Sequence, residues 1–199
     1  MSHNRAAVHD CRALIFAPAI TDNPHSPGIL LKFVVAKDPD CFIGPGIMAH
    51  VICPESIDGI FSAFSYCAET GLSAALECKI DLAPETRGEI EARRLKIRGD
   101  SLSLAVALTL IAFVERRNIK SAISATGALR LAGRHWGCHV VANIKAKICL
   151  ALKSKADIML VPAGSQMTKS QSPSPTTRIV TLPAIIPDAT QLMRYLALD

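Results

Sequence analysis

The chain has 199 residues, of which half are hydrophobic and a fifth are charged, with a formal net charge of +5. A chain of this size buries roughly 70% of the surface that its unfolded form exposes, so it can fold as one domain without disulfides or metal ions. It lacks the G-x-x-x-x-G-K-[ST] phosphate loop, which excludes an ATP-driven motor of that class. We expect no cofactor, and any ATP-driven step would depend on another polypeptide.

The distribution of apolar residues and cysteines favours a cytoplasmic protein. The longest uncharged stretch, residues 101–114, is shorter than the roughly 20 apolar residues that span a bilayer. It therefore predicts a buried helix. The N-terminal residues His3, Arg5 and Asp10 are not followed by an apolar core of signal-peptide length. Seven scattered cysteines without a C-x-x-C pair are typical of a reducing compartment, and we expect no contact with membranes.

Residues 1–28 are expected to be an irregular segment, because prolines and Gly28 interrupt them. A single domain is expected over residues 29–199. β-Branched runs, partial alternation and helical spacing of apolar residues predict three strands and one helix in its first part. The strands are expected over 29–36, 47–53 and 74–82, and the helix over 57–71. The charged residues 85–98 predict a hairpin arm or a surface loop.

The second part of the domain contains further helices and strands. The helices are expected over 101–117, 143–155 and 188–198, and the strands over 122–126, 129–132, 138–141, 157–161 and 178–182. Asp100 or Ser101 is expected to cap the first of these helices, and Asn143 the second. Residues 164–177, rich in Ser, Thr and Pro, predict a flexible loop. Because strands and helices intermix without strict βαβ repetition, we expect a mixed α+β fold.

Ser101 is the first candidate for a catalytic side chain. It follows Gly99 and Asp100 at the start of the apolar helix, where free backbone N–H groups can hold an oxyanion. An ordinary helix cap has the same local pattern.

Two lysines are candidates for a general base. Lys145 and Lys147 both lie at the border of the apolar face of the helix predicted over 143–155. A lysine packed against an apolar face loses hydration, which lowers its pKa and lets it accept a proton from a serine. Helical periodicity does not choose between the two, and a solvated lysine on a helix flank is the alternative for both. Thr126, at a strand end, can hold the amine of such a lysine or be there for its β-propensity.

Four segments follow one another between Gly99 and Pro162: G-D-S-L-S-L-A, S-A-T-G-A-L-R-L-A-G, N-I-K-A-K-I-C-L-A-L and D-I-M-L-V-P. In this order they resemble the proteolytic domain of Lon-type serine proteases. That family has a G-[PD]-S motif opening a helix, a threonine-glycine turn after the next strand, and a helix with the catalytic lysine before a strand that ends in proline. The resemblance implies a Lon-like catalytic fold, here without the ATPase module.

Residue by residue, the resemblance implies that Ser101 is the nucleophile, Lys147 the general base and Thr126 the hydroxyl residue that assists the lysine. Backbone N–H groups near Asp100 and Ser101 would stabilise the oxyanion. Lys147 is preferred to Lys145 because the family's catalytic lysine directly precedes the apolar, alanine-containing part of its helix. The implied activity is that of an ATP-independent serine endopeptidase acting through an acyl-enzyme.

The chain also departs from the family pattern. Arg98 stands where the family commonly has an aspartate, Leu102 replaces a small residue, and the H-W-G-C-H segment stands where the family prefers a proline-glycine turn. These departures favour an alternative, a non-catalytic Lon-like scaffold or protein-interaction module. The implied partners are a peptide or protein substrate, with a separate ATPase or recruiting subunit and a homo-oligomer left open.

Three other patterns carry weaker predictions. His135, Cys138 and His139 are zinc-ligand types, but they lie on one short segment without a distant fourth ligand, so we expect no metal. The basic residues between 93 and 98 suggest nucleic acid, but there are few aromatic residues to stack on bases, so binding is not expected. A Ser-His-Asp triad, which no G-x-S-x-G elbow supports, would use His50 or His139 with Asp58, Asp81 or Asp157.

Overall fold

The computed structural model describes residues 14–20, 28–50, 53–165, 177–186 and 188–194. The strands in this part of the chain are β1 (Ile15–Ala19), β2 (Ile29–Lys37), β3 (Cys78–Leu82), β4 (Ile123–Ala125), β5 (Ala128–Ala132), β6 (His135–His139), β7 (Ile158–Pro162) and β8 (Arg178–Leu182). The helices are α1 (Pro45–His50), α2 (Pro54–Glu69), α3 (Pro84–Ala92), α4 (Ser103–Val114), α5 (Ile144–Lys153) and α6 (Ala189–Arg194). A 3₁₀ turn at Ser73–Glu77 precedes β3.

A mixed sheet of six strands, in the order β3-β2-β1-β4-β7-β8, organises these elements. Strand β2 is antiparallel to both β1 and β3, whereas β1, β4, β7 and β8 are parallel to one another. Strands β5 and β6 form a separate hairpin. Because the four parallel strands share one direction, their carboxyl ends meet at one edge of the sheet. Thr126, which follows β4, and Pro162, the last residue of β7, lie at that edge.

Helices α4 and α5 pack on opposite faces of the sheet. Alternation along a strand sends successive side chains to opposite faces, and β7 shows the result. Leu160 belongs to the large core that contains α4, whereas Met159 packs in a smaller core with Ile148 of α5. Helix α4 is apolar around its whole circumference, and ten of its twelve residues are buried, as expected of a helix enclosed on all sides.

The structure confirms the mixed α+β class and most of the predicted elements. The uncharged stretch after Asp100 forms the buried helix α4, and the helical spacing after Pro54 forms α2. Strands β2, β4, β5, β7 and β8 lie within about two residues of their predicted ranges. Strand β3 is shorter than expected, because a 3₁₀ turn replaces its first half. The hairpin strand β6 begins at His135, three residues before the start of the strand expected over 138–141.

The structure differs from the prediction of an irregular segment over 1–28, because β1 lies within it and occupies an inner position of the sheet. A proline inside a strand usually indicates an edge or no strand at all, and Pro18 is one of the four residues that pair with β2. The parallel neighbour β4 pairs only with Ile15 and Phe16. Pro18 is therefore accommodated because β1 has a single strand partner at that point.

Two further predictions were wrong, and a proline at the start of a helix explains each. The strand expected over 47–53 is replaced by α1, which begins at Pro45 and whose Ile47 N–H donates to Asp81 Oδ1 at 2.9 Å. The hairpin arm or loop expected over 85–98 contains α3, which begins at Pro84. Proline favours the first helical position because its φ angle is already helical and its missing N–H is not needed there.

The predicted cap residue was wrong for α4 and right for α5, and neither helix has a side-chain cap. Helix α4 begins two residues later than expected, with Leu102 at the cap position, and neither the Asp100 nor the Ser101 side chain accepts a capping hydrogen bond from its first backbone N–H groups. Asn143 occupies the cap position of α5 with a left-handed φ of 57°, but its side chain makes no capping hydrogen bond.

Some predictions fall outside the described residues. Most of the flexible loop expected over 164–177 lies there, as does the end of the helix expected over 188–198, of which α6 is the described part. Among the residues that the structure does describe, no helix is long and apolar enough to cross a membrane.

Candidate active site

The turn that carries Ser101 is held against the turn that follows β4. The N–H group of Gly127 donates to the Ser101 carbonyl oxygen at 3.4 Å, and the Leu104 N–H group donates to the Gly127 carbonyl oxygen at 3.3 Å. A Cβ atom at Gly127 would overlap Cys138 Sγ of β6, so the close packing of this turn against Cys138 requires glycine at position 127. These bonds bring Ser101 next to the Thr126-Gly127 turn.

Ser103 strengthens the same junction. Its hydroxyl accepts a hydrogen bond from the Leu129 N–H group at 2.7 Å and lies 3.1 Å from both the Asp100 and the Gly127 carbonyl oxygens. It is completely buried. Ser103 is therefore a structural residue that joins the first turn of α4 to β5, and it is not a rival nucleophile.

The backbone of the Ser101 turn presents unpaired donors. Among the described residues, nothing accepts a hydrogen bond from the N–H groups of Asp100 and Ser101. Gly99 precedes them with a φ of +88°, a conformation that glycine adopts at little cost. Unpaired N–H groups next to a serine hydroxyl are the donors that an oxyanion requires.

Thr126 faces the side of the sheet that α5 covers. Its N–H group donates to the Leu160 carbonyl oxygen at 3.2 Å, which continues the pairing of β4 with β7. Alternation from Ile123 and Ala125, which lie in the α4 core, points Ser124 and Thr126 in the other direction. Both hydroxyls are buried and have no hydrogen-bond partner among the described residues. A buried hydroxyl without a hydrogen-bond partner lowers the stability of the fold. A group that pairs with the Thr126 hydroxyl only during the reaction would explain why it is there.

Lys147 is the buried lysine of α5. Its residue is only 7% exposed, whereas Lys145 on the same helix is exposed. Loss of hydration lowers the pKa of Lys147 to about 8, against the smaller opposing effect of the Asp100 carboxylate. Burial therefore favours Lys147 over Lys145 as the general base, a choice that helical periodicity left open. Of the two, only Lys147 has the buried environment that a neutral lysine base requires.

Asp100 connects the lysine to the serine turn. Its charge acts on Lys147, and its carboxylate forms an ion pair with Arg130 of β5, with Nη2 and Oδ2 2.5 Å apart. The structure therefore places Ser101 beside the Thr126-Gly127 turn, and it places Lys147 where the Asp100 carboxylate acts on its charge. It contains no hydrogen bond between Ser101 Oγ and Lys147 Nζ, a contact that often tightens only when substrate binds.

Residues at the start of α2 and within it support this turn, and the sequence patterns did not predict them. Cys53 Sγ accepts a hydrogen bond from the Gly99 N–H group at 3.1 Å, and Ser56 Oγ donates to the Gly99 carbonyl oxygen at 2.7 Å. A Cβ atom at Gly59 would lie 3.1 Å from the Asp100 carbonyl oxygen. Glycine inside a predicted helix was the available signal, because it often marks a close approach of another backbone.

The other candidate sites are not assembled. His135 and His139 lie on one face of β6, and Cys138 lies on the other, so the three cannot bind one zinc ion. Among the described residues no group of three His, Cys, Asp or Glu side chains has metal-site geometry. His50, a proposed triad member, lies 3.3 Å from Glu91 instead of an aspartate.

The H-W-G-C-H segment also has a clear structural role. Trp136 donates from Nε1 to Glu69 Oε2 at 3.0 Å and packs edge-on against Tyr66 of α2. The segment thus anchors the β5–β6 hairpin, which carries Arg130, to α2. Comparison with models of known protein families and with curated protein sequences gives no match for this chain.

Proposed function

We propose that the chain is a serine endopeptidase that uses Ser101 as nucleophile and Lys147 as general base, with a Lon-like catalytic domain. The observation that carries the proposal is the burial of Lys147, which lowers its pKa to about 8 and leaves it under the influence of Asp100, the neighbour of Ser101. Buried lysines without a carboxylate partner are rare. A lysine that is partly neutral near pH 7 is what a serine-lysine dyad needs.

The chemistry then proceeds by acyl transfer. The neutral amine of Lys147 takes the proton of the Ser101 hydroxyl as the oxygen attacks the carbonyl carbon of a peptide bond. The N–H groups of Asp100 and Ser101 stabilise the negative oxygen of the tetrahedral intermediate. The C–N bond breaks, and the ammonium of Lys147 returns the proton to the leaving amine. Water, deprotonated by the same lysine, hydrolyses the acyl-enzyme.

Thr126 assists by holding the lysine. Its buried hydroxyl has no partner among the described residues, and it lies on the face of the sheet that α5 covers. When Lys147 turns towards Ser101, the Thr126 oxygen accepts a hydrogen bond from the amine and orients its lone pair. This role explains why an unpaired hydroxyl is retained at a fully buried position.

The proposed substrates are peptides or unfolded protein segments in the cytoplasm, since the chain has no phosphate loop with which to unfold a folded substrate. A separate ATPase or recruiting subunit would deliver folded substrates, and a homo-oligomer would enclose the site. Ring assembly is part of the family resemblance.

The test is cleavage of unfolded casein, which needs no ATP-driven unfolding. Ser101→Ala and Lys147→Met are expected to lower the rate of peptide release by at least about 100-fold, the usual contribution of a general base or a nucleophile. Lys145→Met is the matched control, because Lys145 is an exposed lysine on the same helix, and it is expected to retain activity. Equal rates in the wild type, Ser101→Ala and Lys147→Met would overturn the proposal.

The second candidate is a non-catalytic Lon-like scaffold. The departures from the family pattern at Leu102 and in the H-W-G-C-H segment favour it. A scaffold would leave casein intact in the wild type and in all three variants, at every pH between 6 and 10. Cleavage that depends on both Ser101 and Lys147 would exclude it.

A further inference from the structure

Strand β5 is attached to the Ser101 turn by both its backbone and its side chains. Leu129 N–H donates to Ser103 Oγ at 2.7 Å, and the residue before β5, Gly127, bonds to Ser101 and Leu104. The backbone from which a side chain of β5 projects therefore has a fixed position relative to the serine turn. Arg130 is such a side chain, with 63% of its surface exposed.

Arg130 makes an ion pair with Asp100, the residue directly before the proposed nucleophile. An ion pair with so exposed an arginine contributes little to folding stability. The position of this ion pair is what matters, because the Asp100 carboxylate acts on two cations, Arg130 and the buried Lys147. While Arg130 holds the carboxylate, Asp100 has less attraction for the lysine ammonium.

Other charges facing Lys147 are few. Helix α5 packs on β1, β2 and β7, and neither β1 nor β7 carries a titratable side chain. On β2, Lys32 is paired with Glu85 at 3.0 Å and Lys37 with Glu77 at 3.6 Å. On α5 itself the titratable groups are Lys145, Cys149 and Lys153. Among the described residues, Asp100 is the group whose charge acts on Lys147.

We propose that Arg130 is a positioning residue, which binds the Asp100 carboxylate and so leaves the Lys147 amine free to act on Ser101. This inference rests on the proposed peptidase function. Without Arg130, the carboxylate turns to Lys147, stabilises its ammonium form and draws it away from the serine. Because Arg130 acts through Asp100, its effect disappears when Asp100 carries no charge.

Lysine labelled with ¹³C at Cε reports the protonation of Lys147 directly by NMR, and its signal is the one missing from Lys147→Met. Arg130→Met is expected to raise the titration midpoint of Lys147 by about one pH unit, and Asp100→Asn to lower it. The double variant Arg130→Met with Asp100→Asn is expected to titrate as Asp100→Asn alone. Arg130→Lys, which keeps the positive charge, is expected to restore most of the wild-type midpoint.

The matched control is Arg134→Met, which removes an exposed arginine from the turn of the same hairpin. A midpoint for Arg130→Met equal to that of Arg134→Met would overturn the inference. The NMR experiment does not depend on catalysis. It therefore tests the effect of Arg130 on Lys147 even if the chain is not a peptidase.

The second arm measures acylation of Ser101 by a short peptide p-nitrophenyl ester. At pH 7.5 Arg130→Met is expected to acylate about tenfold more slowly than the wild type, because less lysine is neutral, and to recover as the pH rises. If the wild type is acylated and Arg130→Met has the same pH profile as Arg134→Met, only this inference is wrong. If the wild type is never acylated at Ser101, the proposed function is wrong, and the role of Arg130 is overturned with it.

Discussion

The hydroxyl groups around the proposed site differ sharply in their hydrogen bonds. Ser103 Oγ pairs with the Leu129 N–H group and with two carbonyl oxygens, whereas Thr126 Oγ1 and Ser124 Oγ have no partner among the described residues. Removing a hydroxyl that satisfies buried groups leaves those groups unpaired, while removing an unpaired hydroxyl relieves a cost. Stability and activity should therefore separate at these positions.

Thr126→Val keeps the shape of the side chain and removes only the unpaired hydroxyl. We expect the free energy of unfolding to be unchanged or raised by up to about 1 kcal/mol, while peptide cleavage falls because Lys147 loses the oxygen that orients it. Ser103→Ala is the contrast, since it leaves the Leu129 N–H group unpaired and should cost about 1–3 kcal/mol. Urea denaturation and casein cleavage measure the two effects. A Thr126→Val protein with full activity would contradict the role given to Thr126.

Lys147 should also give stability a distinct pH dependence. Its pKa in the folded protein, about 8, is below the ordinary value of 10.5, so between these pH values the unfolded chain binds more protons than the folded one. Stability from this group therefore rises with pH across that window, by about 3 kcal/mol in total. Below pH 8 the folded protein bears the cost of burying the charged amine.

Lys147→Met removes this dependence. The stability advantage of Lys147→Met over the wild type should be largest below pH 8 and should shrink by about 3 kcal/mol as the pH rises to 10.5. Urea denaturation of both proteins across this range measures the difference, in which the titration of other groups cancels. Lys145→Met provides the control. A constant difference between Lys147→Met and the wild type would show that Lys147 is hydrated in solution.

At the scale of elements, helix α2 supports the serine turn through a close backbone approach. Gly59 faces the Asp100 backbone so closely that a Cβ atom would lie 3.1 Å from its carbonyl oxygen. Gly88, in the exposed part of α3, has open space where its Cβ atom would lie. The two glycines therefore form a matched pair for substitution by alanine.

Gly88→Ala should raise the free energy of unfolding by about 1 kcal/mol, the helix preference of alanine over glycine. Gly59→Ala should gain less or lose stability, because Asp100 must move away from α2. The same displacement should slow casein cleavage in Gly59→Ala and leave it unchanged in Gly88→Ala. Urea denaturation with an activity assay checks both. Equal gains and equal activities would mean that α2 does not set the position of the turn.

Hydrophobic periodicity predicted those helices and strands whose buried residues follow a regular pattern along the element. The apolar run of α4 and the β-branched run of β2 both gave clear signals, because each is buried along its whole length or on one regular face. Helix α3 was missed because its charged residues face solvent and only Thr86 and Ile90 are buried. Strand β1 was missed because its proline is tolerated only through the incomplete pairing with β4.

The same limit applies to the site. The resemblance of the four segments indicated Ser101, Thr126 and Lys147 as candidates, and burial in the structure separates Lys147 from Lys145, which helical phase did not. The ion pair of Asp100 with Arg130 and the packing of Gly59 join residues 30 or more positions apart in the chain. Such pairings depend on tertiary structure, and no local pattern reports them.

At the scale of the whole molecule, the site lies where three parts of the fold meet. The carboxyl edge of the parallel strands supplies Thr126, the first turn of the buried helix α4 follows Ser101, and α5 on the opposite face supplies Lys147. Lys147 is buried because it lies on the side of α5 that packs against the sheet. The low pKa of Lys147 thus follows from its burial between α5 and the face of the sheet opposite α4.

The central claim is that neutral Lys147 activates Ser101, and the most direct measurement is the pH dependence of Ser101 acylation. The burst of p-nitrophenol from a short peptide p-nitrophenyl ester gives the rate, and mass spectrometry locates the acyl group. We predict an adduct on Ser101 whose rate of formation rises with pH to half its maximum near pH 8, and which is lost in Lys147→Met but kept in Lys145→Met. Acylation that is independent of pH in this range, or that proceeds at the wild-type rate in Lys147→Met, would contradict the account.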